Sequence, residues 1–222
     1  MKKLGIISGM GAAAGVRFYD SLIRAYQRKG AVNDSDFPEI VLHNISETGM
    51  NATGVTDGEQ TLHALQASVA MLNNYGCETI LIACNTAHIY LDTLQKDSTA
   101  KIKNMIHLAA KVCQPHTKVG VISSACTRKT RLYDHALHSH GIEVIRTTHK
   151  QQDLVDDVIA KVIAGKAGFS EQCAILGIVQ MMVRNGAERV ILGCTELPLV
   201  GELPSICVDA GAVMIAKVVG KS

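Results

Sequence analysis

An internal repeat constrains this chain more than any other feature. Tyr75-Gly-Cys-Glu-Thr-Ile-Leu-Ile-Ala-Cys84 and Asn185-Gly-Ala-Glu-Arg-Val-Ile-Leu-Gly-Cys194 share one pattern: a glycine, a glutamate, three aliphatics, a small residue and a cysteine. The match needs no gap, and the cysteines stand 110 residues apart. The opening segment recurs as well, Lys3-Leu-Gly-Ile-Ile-Ser8 against Lys118-Val-Gly-Val-Ile-Ser123. Self-similarity at a fixed offset marks a duplicated structural unit. The chain is therefore expected to fold as two similar halves, each with a cysteine just past an equivalent element.

Short apolar runs alternate with longer amphipathic stretches. The runs 3–8, 39–44, 78–83, 118–123, 142–146 and 189–193 read as strands. The stretches 12–29, 56–74, 87–97, 127–140, 151–164, 170–184 and 209–219 read as helices. Strand–helix alternation argues for parallel sheets. The strands are continuously apolar, which fits sheets covered on both faces. The expected fold class is α/β: two half-domains, parallel sheets flanked by helices, a pseudo-twofold between them and a cleft where they face. The expected division is 1–102 plus 208–222 for the half carrying Cys84, and 103–207 for the half carrying Cys194.

Composition narrows the function. Of 222 residues 47% are hydrophobic and 19% charged, which excludes a disordered chain. Lys and Arg number 22 against 20 Asp and Glu, and Trp is absent. That balance argues against nucleic-acid and membrane-surface partners. The seven cysteines are odd in number and form no Cys-x-x-Cys pair, so neither a thioredoxin motif nor a zinc ribbon is expected. The apolar run after Met1-Lys-Lys is too short for a signal-peptide core. These points lead to the expectation of a cytoplasmic protein with reduced thiols.

Five cysteines read as small buried hydrophobes. Cys84 and Cys194 differ, because both fall at the carboxyl end of a strand, where open parallel sheets bind ligands. Two similar halves facing one another would set the thiols on opposite sides of one cleft. Opposed thiols suit a substrate and product that are near mirror images: one thiolate removes a proton from carbon and the other thiol returns one to the opposite face. An ordinary thiol pKa of about 8.5 allows both roles. Asn85-Thr86 after Cys84 are helix N-cap types, so a helix start is expected to lower that thiol and to bind a carboxylate.

The residues resemble the aspartate/glutamate racemase superfamily, in its aspartate racemase and amino-acid racemase branch, over nearly the whole chain. Ala83-Cys-Asn-Thr-Ala-His88 and Leu192-Gly-Cys-Thr-Glu196 match its two cysteine motifs, and Leu4-Gly-Ile-Ile-Ser-Gly-Met-Gly11 resembles its N-terminal glycine segment. Gly120-Val-Ile-Ser-Ser-Ala-Cys-Thr127 with Tyr133 resembles its second-half strand and helix start. The resemblance implies a cofactor-independent racemase, usually a homodimer, acting on a small amino acid. Cys84 and Cys194 would be the acid/base pair. Asn85, Thr86 and Thr195 would bind the amino and α-carboxylate groups, with Thr127 and Met10 completing the pocket. Glu196 stands where glutamate racemases carry histidine, which favours the aspartate type.

The chain departs from the pattern at Ser8 and Ala12. The loop 45–51 holds no arginine, and none occurs between Arg28 and Arg128, so a clamp on a distal carboxylate would have to come from Arg17, Arg128, Arg131 or Lys150. Aspartate, or aspartate and glutamate, is the expected substrate. The alternatives are a non-acidic amino acid and maleate isomerase chemistry. Arylmalonate decarboxylase chemistry needs one cysteine only.

Other classes compete. Gly9-Met-Gly11-Ala-Ala-Ala-Gly15 with Asp34 and Asp36 is one residue off a dinucleotide fingerprint. A cleft that binds a ligand without turning it over is a second. His135, His138 and His140 have helical metal spacing but no further ligand, and read as an exposed helix end. His88, one turn past Cys84, either tunes that thiolate or builds the turn. Glu196 either orients the Cys194 thiol, contacts the substrate amine, or is an acid at a helix start.

Overall fold

The computed structural model describes residues 3–52 and 54–220. The expectation drawn on Met1-Lys2 and the outer ends of the expected first half lie outside them. In chain order β1 (Leu4–Ser8) leads through α1 (Ala12–Arg28) to β2 (Ile40–Asn44), and a small hairpin pairs β3 (Met50–Asn51) with β4 (Gly54–Val55). Next come α2 (Gly58–Asn74), β5 (Thr79–Ile82), a 3-10 turn at Thr86–Tyr90, α3 (Leu91–Lys96) and β6 (Lys101–Ile102). The second unit follows α4 (Met105–Lys111): β7 (Lys118–Ser123), α5 (Ala125–Lys129), α6 (Leu132–His138), β8 (Glu143–Arg146), α7 (His149–Ile163), α8 (Phe169–Arg184) and β9 (Arg189–Gly193). A 3-10 turn at Leu197–Leu199, β10 (Cys207–Asp209) and α9 (Ala210–Val219) close the chain.

The repeat becomes two four-stranded parallel sheets of the same topology. One runs β2-β1-β5-β6 and the other β8-β7-β9-β10. β1 answers to β7 and β5 to β9, so Cys84 and Cys194 follow equivalent strands. Every residue of β1 and β5 is buried, as continuous apolar runs require when both faces are covered. Between the sheets, Phe18 and Leu22 of α1, Met105 and Ala109 of α4, Tyr133 and Leu137 of α6, and Met214 of α9 form one core with residues of both. The outer faces are covered by α2 and α3 on one side and by α7 and α8 on the other.

Several boundaries differ from expectation for local reasons. The helix expected over 127–140 is two: Arg131 takes a left-handed φ of 55°, and the Thr130 hydroxyl bonds back to the carbonyls of Cys126 and Thr127, which bends helices. The stretch after Asn85 starts as a 3-10 turn rather than an α-helix. β10 pairs with β9, so the expected boundary at 208 falls inside a strand of the second sheet, and only α9 returns to pack on α1 and α4. The hairpin, β6 and β10 gave no periodic signal, since elements of two or three residues have too few positions to show one, and the seven residues of α4 make barely two turns.

Gly15 on α1 lies against Ser8. A Cβ at Gly15 would overlap the Ser8 side chain, so helix and strand approach more closely than a larger pair allows. Gly15→Ala is expected to cost about 1–3 kcal/mol, the usual price of overpacking. Adding Ser8→Gly in the same chain should recover most of it. Urea unfolding midpoints at constant m-value measure both effects, and a wild-type midpoint for Gly15→Ala would contradict this packing.

Candidate active site

The two equivalent strand ends open on one cavity. Ala83 is still tied to the sheet through its N–H to Ile7 O at 2.9 Å, and the chain then turns out at Cys84. Cys194 leaves β9 in the same way. Both thiols line a cavity of about 130 Å³ together with Met10, Asn85, Thr86, Thr195 and Glu196. Seven residues marked by their motifs therefore converge. Thr127 stands directly behind: its Oγ1 is 2.8 Å from Thr86 Oγ1, and Ser124 Oγ lies 3.2 Å from the same atom. These three buried hydroxyls join the Cys84 turn to the start of α5.

Glu196 organises the second thiol. It is only 4% exposed, and Cys194 Sγ donates to its Oε2 at 2.9 Å. Its Oε1 accepts the Gly11 N–H at 3.4 Å, at the N-terminus of the 17-residue α1, an end that favours negative charge. A Cβ at Gly11 would come within 2.6 Å of that oxygen, so glycine is required for the approach. The carboxylate occupies the place where a dinucleotide phosphate would meet the glycine turn. Asp36, a candidate ribose ligand, accepts the N–H groups of Val32 and Asn33 instead.

Both thiols are held protonated. Burial pushes Cys84 up to about 12, and the Glu196 charge adds to it. Cys194 is raised well above its ordinary value by burial first and then by Glu196, with a further contribution from Cys84. The N–H groups of Ala87 and Thr86 pull Cys84 down but do not win. This corrects the expected helix-lowered thiol: a five-residue 3-10 turn supplies two N–H groups, while desolvation of a thiolate costs more.

His88 does not reach either thiol. Its Nδ1 donates to the Cys84 carbonyl at 2.8 Å and its Nε2 accepts the Met105 N–H at 3.1 Å, which fixes a neutral tautomer. Burial lowers its pKa, so it builds the turn that presents Cys84. Arg128 also lies away from the cavity, with Nη2 donating to Thr147 O at 3.1 Å. Arg17 is paired with Asp209 at 2.7 Å. No Lys or Arg lines the cavity among the described residues, and none of them offers three or more His, Cys, Asp or Glu placed to hold a metal ion. No helix among them is long and apolar enough to cross a membrane.

Asn85 carries a signal that the sequence did not show. It is 2% exposed and lines the cavity. Tyr133 OH donates to its Oδ1 at 2.5 Å, while its buried Nδ2 has no partner. Buried amide N–H groups are rarely left unsatisfied, so this donor is available to a ligand. Tyr133 was visible only as part of a motif, because its partner lies 48 residues away. Ile159 and Ile163, also at the cavity, read as ordinary core positions of a helix.

Comparison with known proteins identifies the family and the fold. The model of the Asp/Glu/hydantoin racemase family matches residues 7–216. The chain belongs to that family. Its enzyme class is accordingly that of the racemases. It is 27% identical to the broad specificity amino-acid racemase RacX of Bacillus subtilis, over 87% of this chain and 85% of that one. An aspartate racemase of Picrophilus torridus superposes with a TM-score of 0.77 at 26% identity, covering 99% of this chain and 95% of its own. An aspartate racemase homologue from Pyrococcus horikoshii shares the fold with a TM-score of 0.80 at 23% identity, covering 100% and 99%. The two-half α/β fold of the racemases is thus the fold of this chain.

Proposed function

We propose that this protein inverts the α-carbon of a free amino acid by moving protons between Cys84 and Cys194, with no pyridoxal cofactor. The observation that carries the reading is the pair of thiols delivered by equivalent strand ends to one buried cavity. In this reading the substrate carboxylate takes the free Asn85 Nδ2 and the hydroxyls of Thr86 and Thr195, while Thr127 and Ser124 fix Thr86. The α-ammonium lies toward Glu196. A cation there offsets the carboxylate charge that helps hold both thiols protonated, so substrate binding itself favours forming the thiolate. One thiolate then takes the α-proton, the electron pair stays on the carbon beside the carboxylate, and the opposite thiol supplies its own proton to the other face. The thiols exchange protonation states with each inversion.

The roles of Met10 as a wall and of Glu196 as the ammonium site belong to this reading. The four cations considered for a distal carboxylate do not, since none lines the cavity. The seven unpaired cysteines support a reducing, cytoplasmic setting, and the resemblance supports a homodimer.

The test uses dialysed protein and L-amino acids, followed by loss of ellipticity. Racemisation without added cofactor supports the proposal. Ligand-induced stabilisation with neither loss of ellipticity nor deuterium entry at Cα would show a binding protein instead. Within the same reading, Tyr133→Phe frees the Asn85 amide to turn. Its KM should rise about threefold to tenfold, the worth of about one hydrogen bond, with kcat changed less. A fall in thermal stability with KM untouched would make Tyr133 purely structural.

A further inference from the structure

We infer that the substrate of this cleft has an uncharged, largely aliphatic side chain; the inference rests on the racemase reading and concerns the same cavity. With the thiols on two sides and Asn85, Thr86 and Thr195 taken by the carboxylate, the remaining wall must receive the side chain. That wall is built from Ile159 and Ile163, one turn apart on α7, and from Met50 and Ala52 of the hairpin. Its polar members, Thr48 and Asn51, are uncharged.

Charge points the same way. With Glu196 taken by the α-ammonium and Asn85, Thr86 and Thr195 by the α-carboxylate, a side-chain carboxylate would meet no lining cation among the described residues and would lack a partner. The nearby cations do not line the cavity, although the buried Nε of Arg128 has no partner. Lys161, set between the two isoleucines on α7, is turned to Asp157 at 2.9 Å and Glu171 at 3.1 Å. Arg17 is held by Asp209 and Arg128 by the Thr147 carbonyl. The hairpin also touches the second half: Gly54 lies against Cys126 of α5, where a Cβ would overlap the Cys126 side chain. Ile159 is buried at the base of this wall, while Ile163 stands at its rim.

The experiment measures racemisation of all chiral proteinogenic amino acids by the wild-type protein, with kcat/KM for each. The expected result is a neutral aliphatic amino acid favoured over aspartate and glutamate by at least about tenfold, as expected when a site leaves a charged group unpaired. A best substrate with an acidic or basic side chain overturns the inference and leaves the racemase reading standing. No racemisation of any amino acid overturns both. The partner variant is Ile163→Lys, at a position 45% exposed and so tolerant of a polar end. It should move the aspartate-to-aliphatic ratio by about tenfold or more toward aspartate. An unchanged ratio, with folding verified by circular dichroism, would remove α7 from the side-chain wall and overturn the inference.

Discussion

Cys84→Ser and Cys194→Ser are each expected to lose racemisation by about a thousandfold or more, within the range for a lost general acid or base. Serine keeps the size and loses the proton chemistry, since its hydroxyl does not ionise near working pH. In the proposed mechanism each thiol faces one side of the substrate carbon, so the two variants should differ in a second readout. Each retains α-proton exchange from one enantiomer only, and from opposite enantiomers. Deuterium entry into separate L and D substrates measures this. Full activity in both variants would remove the thiols from the mechanism. Exchange lost equally from both enantiomers in both variants would place the thiols together on one step instead of on two faces. The other five cysteines lie outside the cavity lining, Cys126 packing on Gly54 of the hairpin, and their replacement should leave the chemistry in place.

The second large effect is on pH dependence. The proposed mechanism needs one thiolate, and both thiols are held above their ordinary range. kcat/KM should therefore rise as pH rises from neutral into the alkaline range. Glu196 disfavours the thiolate twice, through its charge and by accepting the Cys194 S–H. In Glu196→Gln both thiol pKa values fall, so the rising limb moves to lower pH by about one unit. KM should rise in the same variant, because the ammonium loses its carboxylate. Profiles of kcat/KM and the pH dependence of iodoacetamide labelling report this independently. A limb that stays where it was would mean that Glu196 does not set the thiol charge.

Much of this was written in the chain, and what was hidden has physical reasons. The repeat exposed two sheets because buried parallel strands are long apolar runs with a fixed neighbour, and duplication kept their ends in register. The cysteines stood out because they sit at those ends. Charge state was not legible: Asn85-Thr86 looked like a helix start, yet desolvation and Glu196 outweigh the two N–H groups of a short 3-10 turn. Tyr133 was not legible as a site residue either, since its bond to Asn85 joins the two halves and no local spacing encodes it. Arg128 misled for the opposite reason. Its place in sequence puts it at the cleft-side end of α5, but its side chain crosses to the Thr147 carbonyl. His88 keeps helical spacing to Cys84 and nevertheless grips the backbone rather than the sulfur.

The central claim is that two thiols act on opposite faces of one carbon. Single-turnover racemisation of a protiated L-amino acid in deuterated water, with protein in excess, tests it most directly. The account predicts product D-enantiomer carrying deuterium at Cα while the remaining L-enantiomer keeps its protium, because the incoming proton comes from the second thiol and not from the one that took the first. Product D-enantiomer that retains the original protium would mean that a single group removes and returns the proton, and would contradict the two-thiol account.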